Sequence, residues 1–92
     1  MTETRYAVNL VALMNLSKMP EHLPLYLLLK GIVTGEVVNS QLGILGTDAL
    51  LVQKDVPRER WDAIVKVVRM KFRPAMFPLY ENVGRRWTRL TR

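Results

Sequence analysis

The sequence lacks cysteine entirely, and this absence excludes a disulfide framework and any thiolate metal site. Small secreted domains usually depend on such cross-links, so we expect a reducing, cytoplasmic setting. His22 is the only histidine, and one imidazole without cysteine does not make a transition-metal site. We therefore expect no metal and no cofactor, and we interpret His22 as a residue at the start of a helix.

Long apolar runs and catalytic motifs are missing as well. The most apolar stretch, residues 23–29, is followed by Lys30 and is far shorter than the roughly 20 residues of a membrane-spanning helix. The N-terminus mixes Glu3 with Arg5, which is not typical of a signal peptide. No glycine-rich loop ends in Lys-Ser or Lys-Thr, and no nucleophile is paired with a base in a motif. We expect no membrane attachment, no small-molecule ligand and no enzymatic activity.

Positive charge is abundant, and it is concentrated in one part of the chain. The formal net charge is +6 over 92 residues. Residues 1–56 carry four Lys or Arg and five acids, whereas residues 57–92 carry ten Lys or Arg and three acids. Cations gathered in one region are typical of proteins that bind a polyanion, because each neutralised phosphate releases counterions. Simple solvation of the surface is the alternative interpretation.

Helical spacing of apolar residues dominates the first half of the sequence. Tyr6, Leu10, Leu13 and Met14 predict a helix from Thr4 to about Lys18, capped by Thr2 or Thr4. A second helix is expected from Glu21 or His22 to about Thr34, with Gly35 ending it. Residues 36–40 are short and alternate poorly, so they are interpreted as an extended link or a single small strand.

Two adjacent helices are predicted in the middle of the chain. Thr47 followed by Asp48 indicates an N-cap and a short apolar helix that ends near Lys54. Pro57 indicates the start of the next helix, which extends to about Phe72. The apolar positions of this helix fall on one stripe that we expect to be buried, with Trp61 at its centre. They are Trp61, Ile64, Val65, Val68 and Phe72.

The C-terminal part predicts a β-hairpin. Residues 76–80 and 85–90 flank the short segment 81–84, which ends in Gly84. A short C-terminal helix that buries Trp87 and Leu90 is the alternative. Trp87 is compatible with core packing and with a contact to nucleic acid.

The helix pair carries a resemblance to a known family. Leu50, Val56, Trp61 and Ile64 occupy the four apolar positions that pack the two helices of a helix-turn-helix, and residues 56–61 look like its turn and entry. With the helix that precedes the pair and the hairpin that follows it, residues 23–91 resemble a winged helix-turn-helix.

The resemblance implies a fold and a function. The fold would be mainly α with a small C-terminal β-hairpin, in a single domain of residues 1–92. Residues 1–20 would form an N-terminal helix and possible dimerisation element, residues 21–72 a helical core with the helix-turn-helix at 47–72, and residues 73–92 a basic wing. The protein would be a sequence-specific or architectural DNA-binding protein, a small homodimeric regulator of transcription that binds double-stranded DNA.

The same resemblance assigns the candidate binding residues. The second helix of the pair would enter the major groove with Arg58, Glu59, Asp62, Ala63 and Lys66 toward the bases, while the wing contacts phosphates. Arginines of the wing are favoured over the helix, because Glu59 and Asp62 would repel phosphates. The candidate nucleic-acid-binding residues are Arg58, Arg60, Lys66, Arg69, Lys71, Arg73, Arg85, Arg86, Arg89 and Arg92.

Two other functions remain open at this point. A protein–protein interaction module that uses a basic helical scaffold would also explain the charge, and the acids Glu59 and Asp62 favour it. Binding to RNA rests on the same charge argument and differs only in the ligand.

Overall fold

The computed structural model describes residues 4–38, 48–73, 75–83 and 86–90, with Arg86 described by its backbone alone. Five strands and three α-helices account for most of these residues, together with one turn of 3-10 helix (Pro20–His22). In chain order the elements are β1 (Arg5–Asn9), α1 (Leu10–Leu16), α2 (Leu23–Lys30), β2 (Val33–Val38), β3 (Ala49–Val52), α3 (Arg58–Lys71), β4 (Leu79–Val83) and β5 (Arg86–Arg89).

The strands form one antiparallel sheet in the order β2-β3-β1-β4-β5. β1 lies at the centre, where Ala7 is opposite Leu51 of β3 on one side and Tyr80 of β4 on the other. β1 is therefore parallel to β2, and β3 is parallel to β4, with one strand between the members of each pair. This interleaving of two β-α-β units is the split arrangement of ferredoxin-like folds, with β5 added at one edge.

This architecture overturns the predicted fold class. The protein is not mainly α with a small C-terminal hairpin, and its sheet runs from residue 5 to residue 89. The segment predicted as the first helix of a helix-turn-helix is the strand β3, so residues 48–72 do not form two adjacent helices. The predicted N-cap, Thr47, lies outside the described residues.

The first predicted helix is a strand followed by a shorter helix. Tyr6 and Val8 of β1 point toward the helices, whereas Ala7 and Asn9 point to the opposite face of the sheet, as strand alternation requires. α1 begins only at Leu10, and its cap is Asn9, whose Oδ1 accepts the amide N–H of Ala12 at 3.0 Å. The predicted start at Thr4 was wrong because Tyr6 belongs to the strand and not to the helical stripe.

The strand β3 lies where the sequence predicts the short helix that ends near Lys54. Residues 49–52 are a continuous apolar run, and such a run is typical both of a buried helix and of a strand covered on both faces. Here β1 and β2 pair with β3 on its two sides, and Ala49 and Val52 are almost fully buried. The predicted helix 48–54 is therefore a central strand.

The second predicted helix also ends early. α2 stops at Lys30, and the β-branched residues from Ile32 onward enter β2, which runs through Gly35 to Val38. Of the two interpretations of residues 36–40, the strand is confirmed for residues 36–38, and residues 39 and 40 lie outside the described residues.

α3 confirms the strongest helical pattern of the sequence. Trp61, Ile64, Val65 and Val68 are buried, and Pro57 directly precedes the first helical residue. Phe72 is the C-cap in an extended conformation and is half-buried. The amphipathic stripe predicted between Pro57 and Phe72 thus packs the helix on the sheet.

The predicted hairpin exists, but it is not a wing. β4 and β5 pair antiparallel, with Asn82 opposite Trp87, and the alternative of a C-terminal helix is wrong. The strands lie at 79–83 and 86–89, a few residues from the predicted ones. Because β4 also pairs with β1, the hairpin is the outer part of the main sheet, and β5 is an edge strand.

The helices pack on one face of the sheet. Their apolar residues share a core with Tyr6, Val8, Val52 and Leu79, and Tyr6 stacks on Trp61 with ring centroids 4.7 Å apart. A second, smaller cluster lies on the opposite face and consists, among the described residues, of strand residues: Ala7, Val38, Ala49, Leu51, Tyr80 and Trp87.

Candidate nucleic-acid interface

α3 presents two exposed flanks on either side of its buried stripe. Arg58 and Arg69 face the β4–β5 side, since Arg58 pairs with Glu81 of β4 and Arg69 contacts the end of β5. Arg60 and Lys71 lie on the other flank with Val67, and Val67 and Lys71 line a cavity beside α2. The helix therefore divides the predicted binding residues into two groups that face in different directions.

Arg58 is engaged by two carboxylates. Its guanidinium lies 3.4 Å from Glu81 on β4 and 3.8 Å from Asp62 one turn further along α3. Only 14% of the Glu81 side chain is exposed, so this pair joins the start of α3 to the sheet. Arg58 and Asp62, which were expected to point toward DNA bases, are instead paired with each other, and Arg58 also pairs with Glu81.

The phenol of Tyr6 lies near Arg58, Glu81 and Asp62, and burial and these charges both affect its pKa. Burial raises the pKa of Tyr6 above its ordinary value, and the Arg58 guanidinium opposes that rise. The carboxylates of Glu81 and Asp62 raise the pKa further, because they disfavour a phenolate beside them.

The second half of α3 is joined to the end of β5. Nη2 of Arg69 donates to the carbonyl oxygen of Leu90 at 2.8 Å, directly after Arg89. Lys66 is exposed three residues before Arg69 and therefore lies on the same flank of the helix. We call the set Lys66, Arg69 and Arg89 the cationic edge, in which Arg89 is opposite Tyr80 and leaves β5 on the face away from α3.

Acids are rare around the cationic edge. Beyond Asp62 the sequence contains a single acid, Glu81, and Glu81 faces Arg58. The first half of α3, by contrast, holds Glu59 and Asp62 beside its two arginines. The second half of α3 and β5 therefore carry Lys and Arg with few acids nearby, the nearest on the helix being Asp62 one turn before Lys66. Cations in the last turn of a helix also stabilise it against its dipole, which is their purely structural role.

The remaining predicted site residues are placed as follows. Arg73 is exposed just after α3, and Arg89 is exposed on β5. Arg86 begins β5, opposite Val83. Arg85 and Arg92 lie outside the described residues.

The aromatic side chains of the β4–β5 hairpin, Tyr80 and Trp87, are not available for stacking on bases. Trp87 is 6% exposed and Tyr80 is 3% exposed, both in the cluster on the face opposite the helices. The hydroxyl of Tyr80 accepts Nδ2 of Asn9 at 3.3 Å. Of the two interpretations of Trp87, core packing therefore agrees with the structure, and a stacking platform does not.

Sequence reasoning missed two features of the helical layer. One is a cavity of about 210 Å³ between α2 and α3, lined by Glu21, His22, Pro24, Leu25, Leu28, Val67 and Lys71. The other is a group of large apolar side chains that remain exposed on α1 and α2. The signal for the second feature was present, because residues 10–16 and 23–29 contain more apolar positions than one buried stripe needs.

The part of the chain that the structure describes offers neither a metal-binding cluster nor a membrane-spanning helix. It contains no group of three or more His, Cys, Asp or Glu side chains arranged to hold a metal ion. None of its helices combines the length and the apolar character needed to cross a bilayer.

Comparisons with known proteins do not add a relative. No protein-family model, no curated protein and no solved structure matches the chain. Nothing in these comparisons bears on the resemblance to the winged helix-turn-helix family or on a function.

Proposed function

We propose that the protein binds double-stranded nucleic acid, with DNA as the principal ligand, through phosphate contacts along the cationic edge. The observation that carries the proposal is the bond between Arg69 and the carbonyl of Leu90, which joins the acid-free half of α3 to an arginine-bearing edge strand. Lys66 and Arg69 lie on the helix side of β5, and Arg89 lies on its other side, opposite Tyr80 in the register. Cations from two separate parts of the chain thereby flank one edge of the sheet, where a phosphate backbone can contact both.

The mode of binding differs from a recognition helix. One side of α3 is buried on the sheet, and its first half carries Glu59 and Asp62, so insertion into the major groove has no support. Contacts to phosphates alone do not read base sequence. We therefore favour the architectural form of DNA binding over sequence-specific regulation, in a cytoplasmic protein.

Duplexes are favoured over single strands for a separate reason. Proteins that hold single strands stack bases on exposed aromatic rings. Trp87 and Tyr80 are buried, and their rings would have to leave the core to serve as platforms. We expect weaker binding to single-stranded DNA than to the duplex at the same salt concentration.

The test is a salt titration of binding to a DNA duplex of arbitrary sequence, followed by fluorescence anisotropy. The double variant Lys66→Gln/Arg89→Gln removes two charges of the cationic edge, and its log–log salt slope should be shallower by about 2. The matched control, Arg60→Gln/Lys71→Gln, removes two charges from the opposite flank of α3 and should retain the wild-type slope.

Two results would contradict the proposal. The first is the absence of wild-type binding at low salt. The second is an equal change of slope in both double variants, which would mean that net charge matters and the cationic edge does not. Duplex RNA in the same titration shows whether the site distinguishes the two kinds of duplex.

A protein partner is the second candidate, and one observation favours it. α1 and α2 expose several large apolar side chains, and contiguous apolar surface is typical of sites that contact another protein. This surface is separate from the cationic edge, so the two functions are compatible.

A further inference from the structure

The outer surface of α1 and α2 is apolar where solvent would favour polar residues. Val11 and Met14 of α1, and Leu23, Leu27 and Leu28 of α2, are each between 40% and 59% exposed. Both helices bury their opposite sides on the same core, through Leu13 and Leu25 among others. α1 and α2 also contact each other, so these five side chains belong to one surface, which we call the apolar helix face.

The charge of the apolar helix face indicates which partner it fits. α1 has no charged residue, and Lys30 is the only one in α2, although the chain as a whole carries +6. Two copies that met through their basic regions would repel each other. Two copies that meet through this face oppose few like charges, because the charged groups are Lys30 on α2 and the Glu21 and Lys71 side chains that line the adjoining cavity. A two-fold contact places the same apolar side chains on both sides.

A cavity adjoins the apolar helix face. Leu28 belongs to the face and also lines the cavity between α2 and α3, with Pro24 and Val67 among the other walls. At about 210 Å³ the cavity is larger than the roughly 150 Å³ that hold a benzene molecule in an engineered cavity. It can therefore receive one large apolar side chain of a second copy, and anchors of this kind contribute much of the affinity of an interface.

We propose that the chain forms a symmetric homodimer through the apolar helix face. The second copy covers Val11, Met14 and Leu27 and inserts an apolar side chain beside Leu28. The cationic edge lies on the other side of α3 from α2, so both copies keep it exposed in the dimer. Dimerisation does not depend on nucleic acid.

The experiment is sedimentation equilibrium of the full chain over protein concentrations from about 1 μM to about 1 mM, a range matched to affinities of −4 to −8 kcal/mol. Leu27→Glu and Val11→Glu each place a carboxylate in the contact and should raise the dissociation constant of the dimer at least 10-fold. Met76→Glu is the matched control, because Met76 is 67% exposed but lies outside the helices. It should leave the dissociation constant unchanged.

Salt gives a second, independent readout. Two chains of charge +6 repel each other, so added salt should strengthen the dimer or leave it unaffected. Binding to DNA should weaken under the same conditions. Circular dichroism checks that each variant is folded, which the exposure of both positions favours.

Three results would overturn the homodimer. They are a wild-type chain that stays monomeric over the whole range, a dimer that Leu27→Glu and Val11→Glu do not weaken, and a dimer that Met76→Glu weakens equally. None of these three results would contradict the proposed DNA binding, which is tested separately with variants of Lys66 and Arg89. Failure to bind DNA would likewise leave the dimer standing.

Discussion

The cationic edge and the apolar helix face are opposites within one small protein. The cationic edge combines the second half of α3 with β5, and the chain from residue 63 to residue 92 contains one acid and eight Lys or Arg. The apolar helix face, on α1 and α2, has a single charged residue in its helices, Lys30. Under the two proposals, the first surface binds a polyanion and the second, which has no cation except Lys30 in its helices, binds a second copy.

This difference explains how a chain of charge +6 would both self-associate and bind a polyanion, as the two proposals require. Charge spread evenly over the surface would oppose every contact between copies. Here the split β-α-β order sends the apolar first half of the sequence to one side of the helical layer and the basic last third to the other side and to the sheet edge. Added salt should then weaken the proposed DNA binding without weakening the proposed dimer.

The largest effect is expected from a substitution that breaks both surfaces together. Trp61 is 1% exposed and stacks on Tyr6, so it anchors α3 to the centre of the sheet. Trp61→Ala should lower the free energy of unfolding by about 3 to 5 kcal/mol, as large core truncations do. Urea unfolding measures this loss, and DNA binding and dimerisation should fail in parallel.

Met76→Ala is the control for that experiment, because Met76 is exposed in the turn between α3 and β4. A Trp61→Ala protein that unfolds at the wild-type urea concentration would contradict the anchoring role. So would the loss of one binding activity without the other.

The parts of the fold that could be predicted from sequence are those whose signal is local. α3 carries its own stripe of Trp61, Ile64, Val65 and Val68, and the hairpin partners β4 and β5 are separated by only a few residues. The excess of Lys and Arg in residues 57–92 can also be read directly from the sequence. These features were predicted correctly or nearly so.

The central strands could not be predicted in the same way. β1 and β3 pair with each other although Ala7 and Leu51 are 44 positions apart in the sequence. Neither strand alternates clearly, because its residues are buried on both faces of the sheet. A short apolar run such as residues 49–52 fits a helix equally well. The partners that make it a strand lie elsewhere in the chain, so the helix-turn-helix interpretation failed here.

The geometry of the site needed the fold as well. The ion pair of Arg58 with Glu81 and the contact of Arg69 with Leu90 connect residues more than 20 positions apart. From the sequence alone, without these two contacts, the ten Lys and Arg residues of 57–92 cannot be divided into groups. With them, Arg58 is paired with carboxylates, Lys71 lines the cavity beside α2, and Arg69 contacts the end of β5.

A smaller effect should separate the two surfaces. Asn9→Ala removes the cap that accepts the Ala12 amide and the donor to the Tyr80 hydroxyl, so it should lower the free energy of unfolding by about 1 to 2 kcal/mol. Because the cap orders α1, the dimer should weaken more than DNA binding does. Thermal unfolding and sedimentation equilibrium measure the two effects.

Asn15→Ala is the matched control, since Asn15 lies on α1 and is exposed. Tyr80→Phe removes only the second hydrogen bond and should cost less than Asn9→Ala. Equal weakening of the dimer and of DNA binding by Asn9→Ala would show that α1 does not control the apolar helix face separately.

The smallest effect is expected at Arg58, which lies in the basic part of the sequence but is paired. Arg58→Gln breaks two ion pairs of a guanidinium that is 62% exposed, so the loss in the free energy of unfolding should be at most about 1 kcal/mol. DNA affinity should fall less than in a single Lys66→Gln variant, because Glu81 and Asp62 already offset the charge of Arg58. A larger loss of affinity than in Lys66→Gln would extend the cationic edge to the start of α3.

Alkaline titration of Tyr6 gives a second test of the charge of Arg58. Burial raises the pKa of Tyr6 above 10.0, so the folded chain holds the phenol proton more tightly than the unfolded chain does. Stability should therefore be unaffected by this group below about pH 10 and should fall as the pH rises from there toward the folded pKa. Arg58→Gln removes the one neighbour that lowers the pKa, so the phenolate of Tyr6 should form at still higher pH. The difference in phenolate absorbance between each protein and its Tyr6→Phe counterpart isolates this group, and an unchanged or lower pKa in Arg58→Gln would mean that the guanidinium does not act on Tyr6.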